Sequence, residues 1–149
     1  MLIMLKQYSH IQIAVDGSKE ADLAFTKAVA IAKRNNASLE ILHVIDTRSF
    51  QNVSSFDSAM VEQVSADAKK KLEEYYDRAV KAGIKDVHYS IEFGSPKTII
   101  AHDFPKKHQT DLIVLGATGL NAVERLLIGS VTEYVTRTAE CDVIVIRQK

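Results

Sequence analysis

The sequence is poor in cysteine and tryptophan and has no excess of charge of either sign. Its one cysteine, Cys141, cannot form an intrachain disulfide or build a metal site alone, which favours a reducing compartment and predicts a cytoplasmic protein. Nineteen basic residues balance nineteen acidic ones, so the formal net charge is zero. The chain therefore lacks the basic excess typical of proteins that bind nucleic acids or anionic membranes, and we expect neither partner.

Long apolar runs are also absent. The opening stretch MLIMLKQYSH is apolar for only its first five residues, which is too short for the core of a signal peptide. No other stretch approaches the ~20 apolar residues that a membrane-spanning helix needs. With 46% apolar and 26% charged residues over 149 positions, the composition predicts one globular domain, residues 1–149.

Short apolar segments alternate with longer amphipathic ones along the chain. The segments typical of strands are residues 10–15, 38–46, 86–93, 111–116 and 142–147. Apolar residues at helical spacing lie between them, in 18–36, within 54–83, from Ser95 onward and in 130–138. Pro105 is expected to end or kink the third of these helices. Strands alternating with helices predict right-handed crossovers and a parallel sheet covered on both faces.

Three of the six glycines fall within LGATGLNAVERLLIGSVTE. Inside one helix, Gly119 and Gly129 would each cost about 1 kcal/mol relative to alanine, so we expect them to separate elements. The prediction is a strand that ends at Gly116, a tight turn, a separate short segment over the site, and a helix that begins at Ser130. Ser130 followed three residues later by Glu133 indicates a capping box at the start of that helix.

This arrangement favours the binding of an anion. Backbone N–H groups without partners and the positive end of the helix dipole would meet at the start of the last helix. Such a site resembles a phosphate-binding loop, although neither G-x-x-x-x-G-K-[ST] nor G-x-G-x-x-G occurs in the chain. The spacing alone leaves open that both flanking glycines are only turn and cap residues. The expected donors are Thr118, Gly119, Ser130, Val131 and Thr132.

The spacing Gly116-x-x-Gly119, nine residues, then Gly129-Ser130 matches the motif G-2x-G-9x-G-[S/T]. Together with IAVDGS and LHVID, it resembles the universal stress protein family over residues 10–147. The resemblance implies a Rossmann-like fold of the adenine nucleotide α hydrolase type, with a five-stranded parallel sheet of order 3-2-1-4-5 and helices on both faces. It also implies the ATP-binding branch, with ATP held together with Mg²⁺ bound through the phosphates. The nucleotide-binding residues implied by position are Ala14, Val15, Asp16, Val44, Gly116, Thr118, Gly119, Gly129, Ser130, Val131 and Thr132.

The implied strand order supports the same place for the site. In the order 3-2-1-4-5 a crevice opens between strands 1 and 4, whose connections run to opposite faces of the sheet. Asp16 ends strand 1 and Gly116 ends strand 4, so both signatures converge there. Asp16 is expected to contact adenosine, directly or through a metal ion, because a carboxylate beside a triphosphate would be repelled. The alternative role for Asp16 is a turn residue in DGS.

No catalytic residue and no resident metal site is predicted. The phosphate loop lacks a lysine, and the chain offers no positioned base and no activated nucleophile. The expected function is therefore a nucleotide-dependent regulatory module of the stress response, with slow ATP hydrolysis at most. Two alternatives remain open at this point. One is a nucleotidyl- or phosphoryl-transfer enzyme that uses Asp16 or a loop residue as base, and the other is a scaffolding or chaperone-like dimer without nucleotide.

The last strand predicts a homodimer. DVIVIR is short and apolar, and it lies at an edge of the sheet in the implied order. An exposed apolar edge strand is a site for pairing with another chain. The resemblance implies two-fold pairing through this strand, so Val143 and Val145 are the expected interface residues. A regulatory module also predicts a protein partner, whose identity the residues do not indicate.

Overall fold

The computed structural model describes residues 7–50, 58–118 and 128–148, with the side chains of residues 49 and 50 outside the description. Five strands form one parallel sheet in the order β3-β2-β1-β4-β5, which confirms the predicted fold. No predicted strand boundary differs from the observed one by more than one residue. The strands are β1 (His10–Ala14), β2 (Ser38–Asp46), β3 (Val87–Gly94), β4 (Leu112–Gly116) and β5 (Asp142–Ile146).

Helices cover both faces of the sheet. They are α1 (Lys19–Asn35), α2 (Ser58–Lys81), α3 (Pro96–Thr98), a π-helical turn (Ile99–Asp103), α4 (Phe104–His108) and α5 (Ser130–Thr138), and a 3₁₀ turn (Thr47–Phe50) follows β2. The last helix has the predicted bounds. In the part of the chain that the structure describes, no helix is long and apolar enough to span a membrane.

Two buried clusters lie on opposite faces of the sheet. One joins α1 and α2 to the strands through residues such as Phe25, Ile41 and Leu72. The other joins α4 and α5 to the strands through residues such as Phe104 and Val135. Burial of each such side chain contributes about 1.5–3 kcal/mol to folding. All five residues of β4 are buried, as its nearly continuous apolar sequence predicts for a central parallel strand.

The third crossover helix does not end at Pro105, so the expectation that this residue ends the helix is wrong. The chain instead forms the π-helical turn directly before Pro105 and continues as α4 to His108. Within the turn, the N–H of Phe104 donates to the carbonyl of Ile99, five residues earlier. Proline is tolerated at the start of α4 because the first N–H groups of a helix lack intrahelical partners.

A buried glutamine compensates for the missing N–H of Pro105. The next bond of the π-helical series would run from residue 105 to the carbonyl of Ile100, but proline has no donor. Gln12, which is fully buried in β1, donates from Nε2 to that carbonyl at 3.0 Å. Its Oε1 accepts the hydroxyl of Thr110 at 3.3 Å. This pairing satisfies a buried carbonyl that would otherwise cost free energy.

Candidate functional site

The site lies at the carboxyl ends of β1, β2 and β4, beside the start of α5. Ala14 of β1, Val44 of β2 and Val131 of α5 are half-buried and pack against the same cluster on one face of the sheet. These three residues, which the sequence analysis assigned to one site, thus come from three elements and pack on the same face of the sheet. They provide an apolar wall against which a base or sugar can pack.

Val15 is placed differently from its neighbours. Its side chain is buried in the cluster on the α1 and α2 face, so only its backbone borders the crevice. The N–H of Val15 donates to the carbonyl of Leu42 at 2.9 Å. Its carbonyl accepts from Nδ1 of His43 at 2.7 Å, which gives that half-buried histidine a structural partner.

Asp16 shapes the turn between β1 and α1. Its Oδ1 accepts the N–H of Ser18 at 3.0 Å, and Gly17 between them has a φ of +85°. Such an Asx turn favours glycine, because other residues rarely adopt this left-handed conformation. The Asp16 side chain is half-buried beside the end of β1. The turn role that the sequence left open is therefore present in the structure.

Gly116 ends β4 where α1 begins, and the two backbones are in close contact. A Cβ at this position would lie 3.0 Å from both the carbonyl carbon and the Cβ of Glu20. The carbonyl of Gly116 accepts the hydroxyl of Thr132 at 2.7 Å, and Thr132 is buried. The hydroxyl of Thr132 thus joins β4 to α5.

The predicted capping box at the start of α5 is wrong. Gly129, not Ser130, is the N-cap, and Ser130 is the first helical residue. Glu133 does not reach back to the cap, because its carboxylate pairs with Nε of Arg137 at 2.8 Å. Ser and Gly are both common at this position, so the pattern alone does not separate them.

Because glycine has no side chain to cap with, the first turn of α5 keeps its donors. The N–H of Gly129 itself donates to the carbonyl of Ala117 at 2.7 Å, which holds the start of the helix against the end of β4. The next three amides, of Ser130, Val131 and Thr132, have no acceptor within residues 7–50, 58–118 and 128–148. They point along the positive end of the helix dipole, where an anion is favoured.

Sequence reasoning missed Glu20, whose carboxylate accepts a hydrogen bond from Thr118, one of the expected donors. The N–H of Thr118 donates to Oε2 of Glu20 at 2.8 Å. Glu20 precedes Thr118 by 98 residues and lies in the first turn of α1, where an acidic residue is usually explained by the helix dipole. An acidic residue at this position is common in surface helices, so it does not by itself indicate a contact with Thr118.

Some predicted features lie outside the described residues. They are Gly119, most of the segment 120–128, and residues 51–57 of the loop after β2. Arg48, in the described start of that loop, forms an ion pair with Asp46 at 2.7 Å. Hydrogen bonds from Arg48 lower the pKa of Asp46. Across the ranges that are described, no group of three or more His, Cys, Asp or Glu residues is arranged to hold a metal ion.

Known proteins resemble this chain in sequence and in fold. A sequence profile described as "Universal stress protein family" matches residues 7–147. A putative universal stress protein of Staphylococcus aureus is 47% identical over 140 residues, which cover 94% of this chain and 84% of the relative. The structure of universal stress protein UspA from Lactobacillus plantarum is similar, with 37% identity, a TM-score of 0.78, and coverage of 94% of this chain and 98% of that one.

A further similar structure is a universal stress protein in complex with cAMP. It shares 26% identity with this chain, has a TM-score of 0.71, and the match covers 94% of this chain and 97% of that one. The profile match spans nearly the whole chain, and the relatives agree in both sequence and strand arrangement. The chain therefore belongs to the universal stress protein family.

Proposed function

We propose that this protein binds an adenine nucleotide, ATP with Mg²⁺, in the crevice between the ends of β1 and β4. The observation that carries the proposal is the start of α5, where Gly129 provides no cap. Three successive amides thereby have no acceptor within residues 7–50, 58–118 and 128–148, and they lie beside the end of a central strand. Phosphate oxygens are suitable acceptors, because they bring negative charge to the positive end of the helix.

The apolar wall of Ala14, Val44 and Val131 is suited to the other half of the ligand. An adenine or ribose packed there would lie near Asp16, whose carboxylate can accept hydrogen bonds from hydroxyl or amino groups. The phosphates would then extend toward Ser130. Adenosine at one end and phosphates at the other use the whole crevice and keep the triphosphate away from Asp16.

We further propose that the bound nucleotide regulates rather than reacts. The described residues assigned to the site include no lysine and no nucleophile beside a base, the groups that phosphoryl transfer requires. ATP hydrolysis is expected to be slow at most. The nucleotide state would be read by a protein partner or by assembly of the protein itself, in the cytoplasm.

The relative that is in complex with cAMP extends the class of ligands to be tested. Isothermal titration calorimetry with ATP, ADP, AMP and cAMP, each with and without Mg²⁺, would establish which adenine nucleotide binds. Gly129→Val is the test variant, because a branched side chain would stand where phosphates approach the backbone. We expect binding of ATP to the wild type and loss of binding in a folded Gly129→Val variant. Absence of binding to nucleotide-free wild type would contradict the proposal.

The proposed assembly is a two-fold dimer through β5. Among the described strands, β5 pairs with β4 alone, and its residues Val143 and Val145 are half-buried at the edge of the sheet. A lysine at such an edge prevents pairing with another strand. Val145→Lys is therefore expected to give a monomer in sedimentation velocity, whereas Phe93→Lys on the opposite edge strand leaves the dimer intact. A monomeric wild type at micromolar concentration would contradict this assembly.

A further inference from the structure

The carboxylate of Glu20 accepts a hydrogen bond from one of the N–H groups of the proposed phosphate site. Its Oε2 accepts the N–H of Thr118 at 2.8 Å, and both residues are half-buried. The first turn of α1 is held in this place because Glu20 packs directly on Gly116, so closely that a Cβ added to the glycine would lie 3.0 Å from the Glu20 carbonyl carbon. The contact is thus built into the junction of α1 and β4.

Glu20 is also connected to the start of α5 through hydrogen bonds. The peptide group between Ala117 and Thr118 donates to Glu20 on its N–H side and accepts the N–H of Gly129 on its carbonyl side, at 2.7 Å. Two hydrogen bonds across one peptide group therefore connect the carboxylate to the cap of α5. A phosphate chain that binds at Ser130 and also reaches the Thr118 amide would meet this carboxylate.

We propose that Glu20 is an internal anion that competes with phosphate for the Thr118 amide and sets the specificity of the site by phosphate charge. The inference rests on the proposed nucleotide function. A carboxylate and a phosphate oxygen cannot both accept the same N–H, and their like charges repel each other. The penalty grows with the charge of the phosphate chain, so it is largest for ATP, smaller for AMP and absent for adenosine.

Glu20→Gln tests this most directly, because it removes the charge and keeps an acceptor oxygen and the size of the side chain. Titrations of ATP, AMP and adenosine in EDTA avoid bridging of the two anions by Mg²⁺. We expect ATP to bind about five- to tenfold more tightly to Glu20→Gln, and adenosine to bind within twofold of wild type. The gain for ATP is expected to shrink as salt is added.

Asp22→Asn is the matched control, because it makes the same charge change in the first turn of α1, two residues after Glu20. Asp22 pairs with Arg78 at 2.6 Å on the α2 side, away from Thr118. This variant is expected to change ATP affinity by less than twofold. An equal gain in both variants would mean that only the net charge matters, which overturns the role of Glu20.

Two other results are informative. Binding of ATP to the wild type with an unchanged ratio of ATP to adenosine affinity in Glu20→Gln overturns this inference alone. The same holds if Glu20→Gln weakens ATP binding, because Glu20 would then support the site rather than compete in it. Absence of nucleotide binding in the wild type and in both variants, both in EDTA and with Mg²⁺, contradicts the proposed function, and this inference fails with it.

Discussion

α1 and α5 both begin near the carboxyl ends of the strands. They differ in whether a side chain caps the N–H groups of the first turn. α1 follows β1 and has Ser18 as N-cap, whose hydroxyl oxygen accepts the N–H of Ala21 at 3.1 Å. Its first turn also contains Glu20 and Asp22, which favour the positive end of the dipole. α5 begins after Gly129, with no side-chain cap. One helix start is thus satisfied by its own residues, and the other is not.

Under the proposed function, this difference separates a helix start that serves folding from one that serves a ligand. A side-chain cap in place of glycine would stabilise the helix by only about a few tenths of a kcal/mol, so α5 gives up little stability by keeping its amides uncapped. The same donors are available to an anion at no cost of displacing a cap. Gly116 lies between the two helix starts and contacts both, through Glu20 on one side and Thr132 on the other.

The largest change in stability is expected where the two helix starts meet. Gly116→Ala would push the new Cβ against the backbone of Glu20, at 3.0 Å in the unrelaxed structure. Because a helix backbone cannot move aside as a flexible side chain does, we expect a loss of about 1–3 kcal/mol in the free energy of unfolding. Urea denaturation measures it. A variant as stable as the wild type would show that α1 does not pack rigidly on β4.

A smaller loss is expected on the α5 side of this junction. Thr132→Val removes the buried hydroxyl that donates to Gly116 and keeps the shape of the side chain. The carbonyl left without its partner should cost about 1–3 kcal/mol, toward the lower end because of its second lone pair. Thermal unfolding measures the loss, and calorimetry with ATP is the control. A large loss of ATP affinity with unchanged stability would assign the hydroxyl to phosphate instead.

The smallest change in stability is expected from removing the side-chain cap of α1, which makes its start similar to that of α5. Ser18→Ala removes the cap of α1 and should lower the free energy of unfolding by about 1 kcal/mol. ATP affinity should stay within twofold of the wild type, because the uncapped amides of α1 are not at the proposed phosphate site. Denaturant titration and calorimetry on the same sample check both parts. A clear change in affinity would mean that the amides at the start of α1 also bind phosphate.

Much of the fold was predictable because its signals are local. The strand at 38–46 and the helix at 130–138 follow from apolar spacing and glycine positions, and their observed bounds agree. The arrangement of the sheet came from the family resemblance. The observed N-cap of α5 is Gly129, whereas the predicted one was Ser130. This shift of one residue lies within the usual uncertainty of helix ends.

The contacts that sequence reasoning missed join distant parts of the chain. Glu20 and Thr118 are 98 residues apart, and Gln12 and Ile100 are 88 residues apart. In each pair a side chain satisfies a backbone group of another element, and no spacing within one element indicates it. Pro105 shows the same limit, because its effect on the helix depends on a glutamine in β1.

The most direct test of the central claim is to give α5 the cap that it lacks. In Gly129→Asp the carboxylate would accept the first-turn amides and oppose a phosphate, and Gly129→Asn would cap without the charge. The φ of −61° and ψ of 155° at Gly129 suit either residue at an N-cap. Calorimetry with ATP and thermal unfolding would be measured on both variants and the wild type.

We predict unfolding temperatures at or above that of the wild type in both variants. ATP affinity should fall at least tenfold in Gly129→Asn and further in Gly129→Asp. Unchanged ATP affinity in a stable Gly129→Asp variant would contradict the account, because it would mean that the phosphates do not bind at the start of α5.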